Sequence, residues 1–269
     1  MCVLFWKLDN SPVNIFAANR DEFLNRPTSL ASWWNPNILS GLDLLKPVHG
    51  TWLGINRAGR FAAVTNFREP KIVGSEFLLS RGAVVRSILE SDSPLEQCLN
   101  TIKNESHMYG GFNLISVDLN DENSEVFYLS NRGSMEIKRL NSKEIYGLSN
   151  SLLDEPWPKV KFGVDEMKSI CEKEHSEEKL VENLFRLLST THPYERSNGK
   201  MNIRIPEFEA YGTRTSTVVL VDRDNNVVFV EKTWYDENEN IIEDERGRWF
   251  RFKIGKMDNK LSQIKFINM

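Results

Sequence analysis

The chain has 269 residues, 40% of them hydrophobic and 27% charged, with a net charge of −4. That composition suits a soluble globular protein with a sizeable core, and a mildly acidic balance with no basic block argues against non-specific nucleic-acid binding. Its three cysteines (Cys2, Cys98 and Cys171) form no CxxC pair, which argues against a disulfide framework and for a reducing, cytosolic compartment.

Residues 2–7 are apolar and rich in aromatic side chains, and read as a strand. Residues 13–18 follow the turn sequence Asp9-Asn10-Ser11-Pro12 and complete a hairpin. Trp33-Trp34-Asn35-Pro36 reads as an aromatic pair in a loop. A second hairpin joins residues 51–56 and 60–67 around Arg57-Ala58-Gly59. Helices are expected over 80–90 and from Ser93-Pro94 onward, with Pro94 at the first helical position and Leu95, Cys98, Leu99 and Ile102 as an i, i+3, i+4, i+7 stripe. Strands return at 112–118, 125–130, 135–140 and 145–148. Amphipathic helices span 158–173 and 177–189. The strands 215–222 and 227–233 flank Asp222-Arg223-Asp224-Asn225-Asn226, residues 236–245 read as a solvated acidic loop, and 249–254 reads as a last edge strand. Without regular βαβ alternation, a parallel doubly wound sheet is disfavoured. One α+β domain over 1–269, with antiparallel sheets covered by helices, fits better. No segment has the ~18 apolar residues of a membrane span, and the start lacks a signal peptide.

Cys2 is the most informative residue. Removal of Met1 puts a thiol and a free α-amine on one residue, and such an amine can act as base for its own nucleophile. The amine's ordinary pKa of ~7.7–8 suits that task at neutral pH. A nearby arginine would hold the thiol below its usual range. Ala17-Ala18-Asn19-Arg20-Asp21-Glu22-Phe23 then places polar groups just past strand 13–18, opposite Cys2 if the hairpin forms. Asp21 is suited to position the α-ammonium or a water, and Asn19 or Arg20 to bind a carbonyl or carboxylate. The competing reading is a turn with a surface Arg–carboxylate pair worth ~0–1 kcal/mol. Trp33 and Trp34 either line a cleft for a flat apolar ligand or cover the core. Cys98 and Cys171 read as buried core thiols. The histidines lack HxxxH or HExxH spacing, so no metal site is expected, and neither CxxCH nor a phosphate-binding glycine loop is present.

The opening Met-Cys and the Asn-Arg-Asp-Glu block resemble the NRDE family, also called the Transport and Golgi organization 2 family. So do Leu-Ser-Gly-Leu-Asp at 39–43, Gly-Thr-Trp-Leu-Gly-Ile at 50–55, Thr65-Asn66-Phe67, residues 111–114, Tyr-Gly-Leu-Ser-Asn at 146–150 and Tyr-Gly-Thr-Arg-Thr at 211–215. This resemblance extends to N-terminal nucleophile (Ntn) hydrolases of the penicillin V acylase and bile salt hydrolase type. It implies a four-layer αββα sandwich, with Cys2 as nucleophile and Asp21 beside it. By the same resemblance Asn66 is the oxyanion-hole residue, Asn150 the second asparagine and Arg214 the late arginine. Ala18 stands where the acylases carry an arginine, and Arg20 is the candidate substitute two residues on. The resemblance also implies heme mobilisation, acyl-lipid homeostasis and association with mitochondria and Golgi. Two functions follow from it. The leading one, since Ala18 removes an acylase residue, is a carrier for heme or another flat apolar ligand, with no required cofactor, and the alternative is a Cys2-dependent hydrolase of an amide or acyl thioester.

Overall fold

The computed structural model describes residues 2–8, 13–70, 78–119, 124–141, 143–192, 200–236, 240–242, 247–255 and 265–267. Strand β1 (Cys2–Lys7) pairs antiparallel with β2 (Val13–Phe23) as the hairpin expected, although its Asp9–Pro12 turn lies outside the described residues. β2 runs five residues past the expected end at Ala18, so the polar cluster lies on the strand and not after it. The reason is tertiary. β11 (Tyr211–Asp222) pairs along the whole of β2, which supplies backbone partners that a polar run would otherwise find in water.

Around that pair a seven-stranded sheet forms in the order β10-β1-β2-β11-β12-β13-β14, with β10 (Ile145–Leu148), β12 (Asn226–Thr233), β13 (Gly247–Lys253) and β14 (Lys265–Ile267). β13 is therefore not the edge expected of it, because β14 pairs outside it. The second seven-stranded sheet has the order β3 (Ser32–Trp34), β4 (Ile38–Ser40), β5 (Leu53–Asn56), β6 (Arg60–Asn66), β7 (Phe112–Asp118), β8 (Val126–Ser130) and β9 (Lys138–Leu140). The Trp33-Trp34 pair lies in β3 rather than in a loop.

Period-2 alternation sorts the side chains into three main cores. Leu4, Trp6, Phe16, Phe61 and Phe229 meet between the sheets. Val3, Phe5, Ala17, Val218 and Val230 pack under α3 (Pro158–Cys171) and α4 (Glu177–Leu188). Ala62, Val64 and Leu114 pack under α1 (Arg81–Glu90) and α2 (Leu95–Asn104). The layers are helices, sheet, sheet, helices, as the αββα expectation requires. Pro94 precedes α2 as its cap residue instead of occupying the first turn. Cys98 and Cys171 are half-buried rather than core thiols, and Cys98 donates to Ser91 Oγ at 3.3 Å.

Helix α3 approaches β1 closely because residue 163 is glycine. A Cβ there would lie 2.1 Å from Phe5 Cζ. Gly163→Ala should therefore lower the urea midpoint, corresponding to ~1–3 kcal/mol of overpacking, although alanine favours an exposed helix by about 1 kcal/mol. An unchanged or raised midpoint would show that α3 can shift away from Phe5.

Candidate active site

The hairpin register sets Cys2 directly opposite Arg20. Cross-strand partners share a face, so the Cys2 thiol and the Arg20 guanidinium project to the same side of the sheet. Ala18 shares that face and closes into the core between the sheets. Arg20 lies two residues beyond Ala18 on the same face, because β2 stays extended. Its guanidinium stacks over Trp52 at 4.3 Å, donates to Thr28 Oγ1 at 3.3 Å and lies 3.5 Å from Asp43 and 3.9 Å from Glu22.

These groups line a cavity of about 100 Å³ that also includes Asp21, Arg26, Asn66 and Arg81. Glu22 and Asp43 are shared between Arg20 and Arg26, with Arg26 Nε 2.6 Å from Asp43. Arg81 donates to the Gly111 carbonyl at 3.3 Å and has no carboxylate within ion-pair distance among the described residues. It is delivered by a close backbone approach, since a Cβ on Gly50 would lie 2.7 Å from the Gly82 carbonyl carbon.

The thiol differs from expectation. Burial pushes Cys2 up, outweighing the chain's terminal positive charge, a backbone hydrogen bond from Asp21 and the Arg20 charge. The protonated thiol therefore needs a base. Asp21 lies on the other face of β2 by alternation, opposite Thr213, whose hydroxyl donates to its Oδ1 at 2.5 Å. Burial raises the Asp21 carboxyl, while the terminal positive charge and Lys159 pull it down.

Asn19, on the opposite face of β2 from Arg20, is not among the residues that line the cavity. Its Nδ2 donates to the carbonyls of Leu188 and Ile203 at 2.8 and 3.0 Å, and its Oδ1 accepts from Ser216 at 2.6 Å. It ties the end of α4 and the segment around Ile203 to the sheet, which corrects its expected contact with substrate. Asn66 lines the cavity, at the end of β6. Asn150 acts one step behind, donating to the Asn66 carbonyl at 2.5 Å. Arg214 lies at a bulge in β11 and donates to carbonyls of Phe23 and Arg26, so it braces the loop that carries Arg26. Trp33 and Trp34 point to opposite faces of β3. Trp33 meets Phe252 edge-to-face at 4.9 Å with Arg57 over its ring, and Trp34 donates to Ser40 Oγ at 2.7 Å.

Ser149 went unremarked in the sequence except as the middle of Leu-Ser-Asn. Its hydroxyl donates to the Cys2 carbonyl at 2.6 Å, and its own carbonyl accepts from Thr65 of the other sheet. Asp43, Thr51 and Trp52 were likewise visible only as members of the matched blocks. Among the described residues no three His, Cys, Asp or Glu side chains converge as a metal site requires, and no helix is long and apolar enough to cross a membrane.

This sandwich, with a cysteine opening its central hairpin, is the fold of an Ntn hydrolase. The chain is similar to a Caenorhabditis elegans N-acylethanolamine-hydrolyzing acid amidase ortholog, with TM-score 0.51 and 12% identity over 81% of this chain and 92% of that one. It is also similar to a variant of conjugated bile acid hydrolase from Clostridium perfringens in which leucine replaces an arginine, with TM-score 0.54 and 11% identity over 100% and 97%. Identities this low speak for the fold alone. Within that fold the chain belongs to the Transport and Golgi organisation 2 family, whose pattern matches residues 1–236. The Transport and Golgi organization protein 2 homolog of Bos taurus is 39% identical over 259 residues, covering 87% of this chain and 93% of that protein.

Behind Arg20, Glu231 is wholly buried and its Oε1 accepts from the Ala31 N–H at 2.6 Å. Burial raises its carboxyl from 4.5 to about 7, against the pull of that hydrogen bond, Arg248 and Arg20. Folding then holds a proton that the unfolded chain has released, so stability declines as pH rises through this window. Thermal melts should fall between pH 5 and 8, and Glu231→Gln should flatten that slope. The same slope in both proteins would show that Glu231 stays ionised when folded.

Proposed function

We propose that the chain is a thiol-dependent acyl hydrolase, with Cys2, exposed by removal of Met1, as nucleophile and its own α-amine as base. The register that seats the Cys2 thiol beside Arg20 in a small polar cavity, with Asp21 behind the strand, carries this reading. In acylation the thiol proton passes to the neutral α-amine while sulfur bonds to the carbonyl carbon and the C=O electron pair moves to oxygen. The ammonium then returns that proton to the leaving amine or thiolate as the carbonyl re-forms and the bond to the leaving group breaks. Water then gives a proton to the same amine as it attacks the thioester carbonyl, the C–S bond breaks as the carbonyl re-forms, and the ammonium returns the proton to the Cys2 thiolate as the acid leaves. Asp21 orients the ammonium form, and Asn66 is the candidate donor to the oxyanion.

At about 100 Å³ the cavity admits the reacting acyl group only, against ~300–1,000 Å³ for sites that enclose a drug-sized ligand. The remainder of an amide or acyl-thioester substrate would lie outside it. The carrier reading for heme draws no support from this cavity, which is small and charged, nor from tryptophans that face apart. Golgi organisation is the setting that the family's name supplies.

Intact mass of the purified protein should lack Met1. Cys2→Ala should abolish product from panels of acyl amides and acyl-CoA thioesters, and a fast substrate should leave a trappable acyl group on Cys2. Retained Met1, or turnover unchanged in Cys2→Ala, would overturn the reading. A saturable Soret shift with hemin in a protein without turnover would replace it with the carrier.

A further inference from the structure

Lys159 lies in the first turn of α3, which packs on β1 and β10. Its side chain is 1% exposed, and its Nζ has no hydrogen-bond partner among the described residues. Lysines ordinarily bury the stem and keep the ammonium in water. The ring of Trp157, 5.8 Å away, is at the outer limit of a cation–π contact. A buried, unsolvated ammonium is strongly unfavourable unless a charge answers it. The charged groups acting on it are Asp21 and Cys2. Buried groups that serve folding so poorly concentrate at functional sites.

We infer that Lys159 is a positioning residue of the Cys2 site, whose positive charge offsets the Asp21 carboxylate so that the Cys2 α-amine stays neutral and accepts the thiol proton. An ionised Asp21 alone would hold the amine as ammonium, which cannot act as a base. A second cation behind Asp21 weakens that hold without removing the carboxylate that orients the amine. The same charge favours the thiolate. The other groups facing this cluster are Glu22 and the Thr213 hydroxyl on Asp21, and Arg20 on Cys2. Burial draws Lys159 toward neutrality, and Asp21 opposes it. The role of Lys159 in turnover rests on the hydrolase reading, but the charge coupling does not.

The experiment follows the rate of Cys2 alkylation by iodoacetamide against pH in the Met1-free protein, with kcat/KM measured in parallel. Lys159→Met should move the alkylation profile to higher pH by at least about half a unit, which is ~3-fold slower labelling near neutrality. Its melting temperature should equal or exceed the parent's, since an unsolvated charge is replaced by an apolar chain of similar length. Lys159→Arg, which keeps the charge, should restore the parent profile. Lys159→Gln is read in the same way should the methionine variant fail to fold. An unmoved profile in a folded charge-removing variant would overturn the inference, as would a profile that follows lost stability in Lys159→Arg as well. Turnover in the parent with an unmoved profile removes Lys159 alone. A moved profile without turnover in any protein removes the hydrolase reading and keeps the coupling.

Discussion

Everything at the candidate site depends on one backbone pairing, Cys2 against Arg20 across the β1–β2 hairpin. That hairpin is buried on both faces, with Phe16 and Ala18 toward the other sheet and Ile15 and Ala17 toward the helices. A slip of one residue would exchange the two faces, forcing Arg20 into the helix-side core and Asn19 into the cavity. The apolar alternation before the polar cluster thus secures the chemistry that follows it. The central strand β11 extends this control by pairing with β2 up to Phe23, which keeps Arg20 and Asp21 on opposite sides of a regular strand.

The two sheets are joined at this end by polar contacts rather than by the apolar core. Ser149 links the Cys2 carbonyl to the neighbouring strand, and Thr65 and Asn113 of the other sheet both donate to its carbonyl. Asn150 then holds the end of β6, where Asn66 enters the cavity. Buried polar groups of this kind are directional, so they set the distance between Cys2 and Asn66 more sharply than apolar packing does. The asparagines and the serine of this region divide accordingly, with Asn66 in the cavity and Ser149, Asn150 and Asn19 holding backbone in place.

Charge in the site is nearly balanced, yet its members are not equally well partnered. Arg20 and Arg26 share Glu22 and Asp43, while Lys159 and Glu231 are buried at a cost to folding. A fold under selection for stability alone would replace both with apolar side chains. The apolar core ends at Ala18, and the Arg20 guanidinium follows two residues on along the same face of β2, braced by Trp52.

By itself the sequence determined the strands and helices with strong periodicity, the antiparallel α+β class, and through its matched blocks the family. Local alternation, turn chemistry and a cysteine at the second residue are properties of short segments, and they survive without knowledge of the rest of the chain. Only the tertiary structure decided which face each polar residue of β2 presents, because that follows from pairing with β11 nearly 200 residues away. It set Trp33 and Trp34, expected as a cleft lining or a core cover, on the two faces of an edge strand against two cores, and it made Asn19 and Arg214 braces of neighbouring backbone. Lys159 reads in sequence as one more solvated lysine at the start of an amphipathic helix. Its meaning comes from the sheet that α3 covers, which removes water from the ammonium and leaves the charges on β1 and β2 as what it answers to.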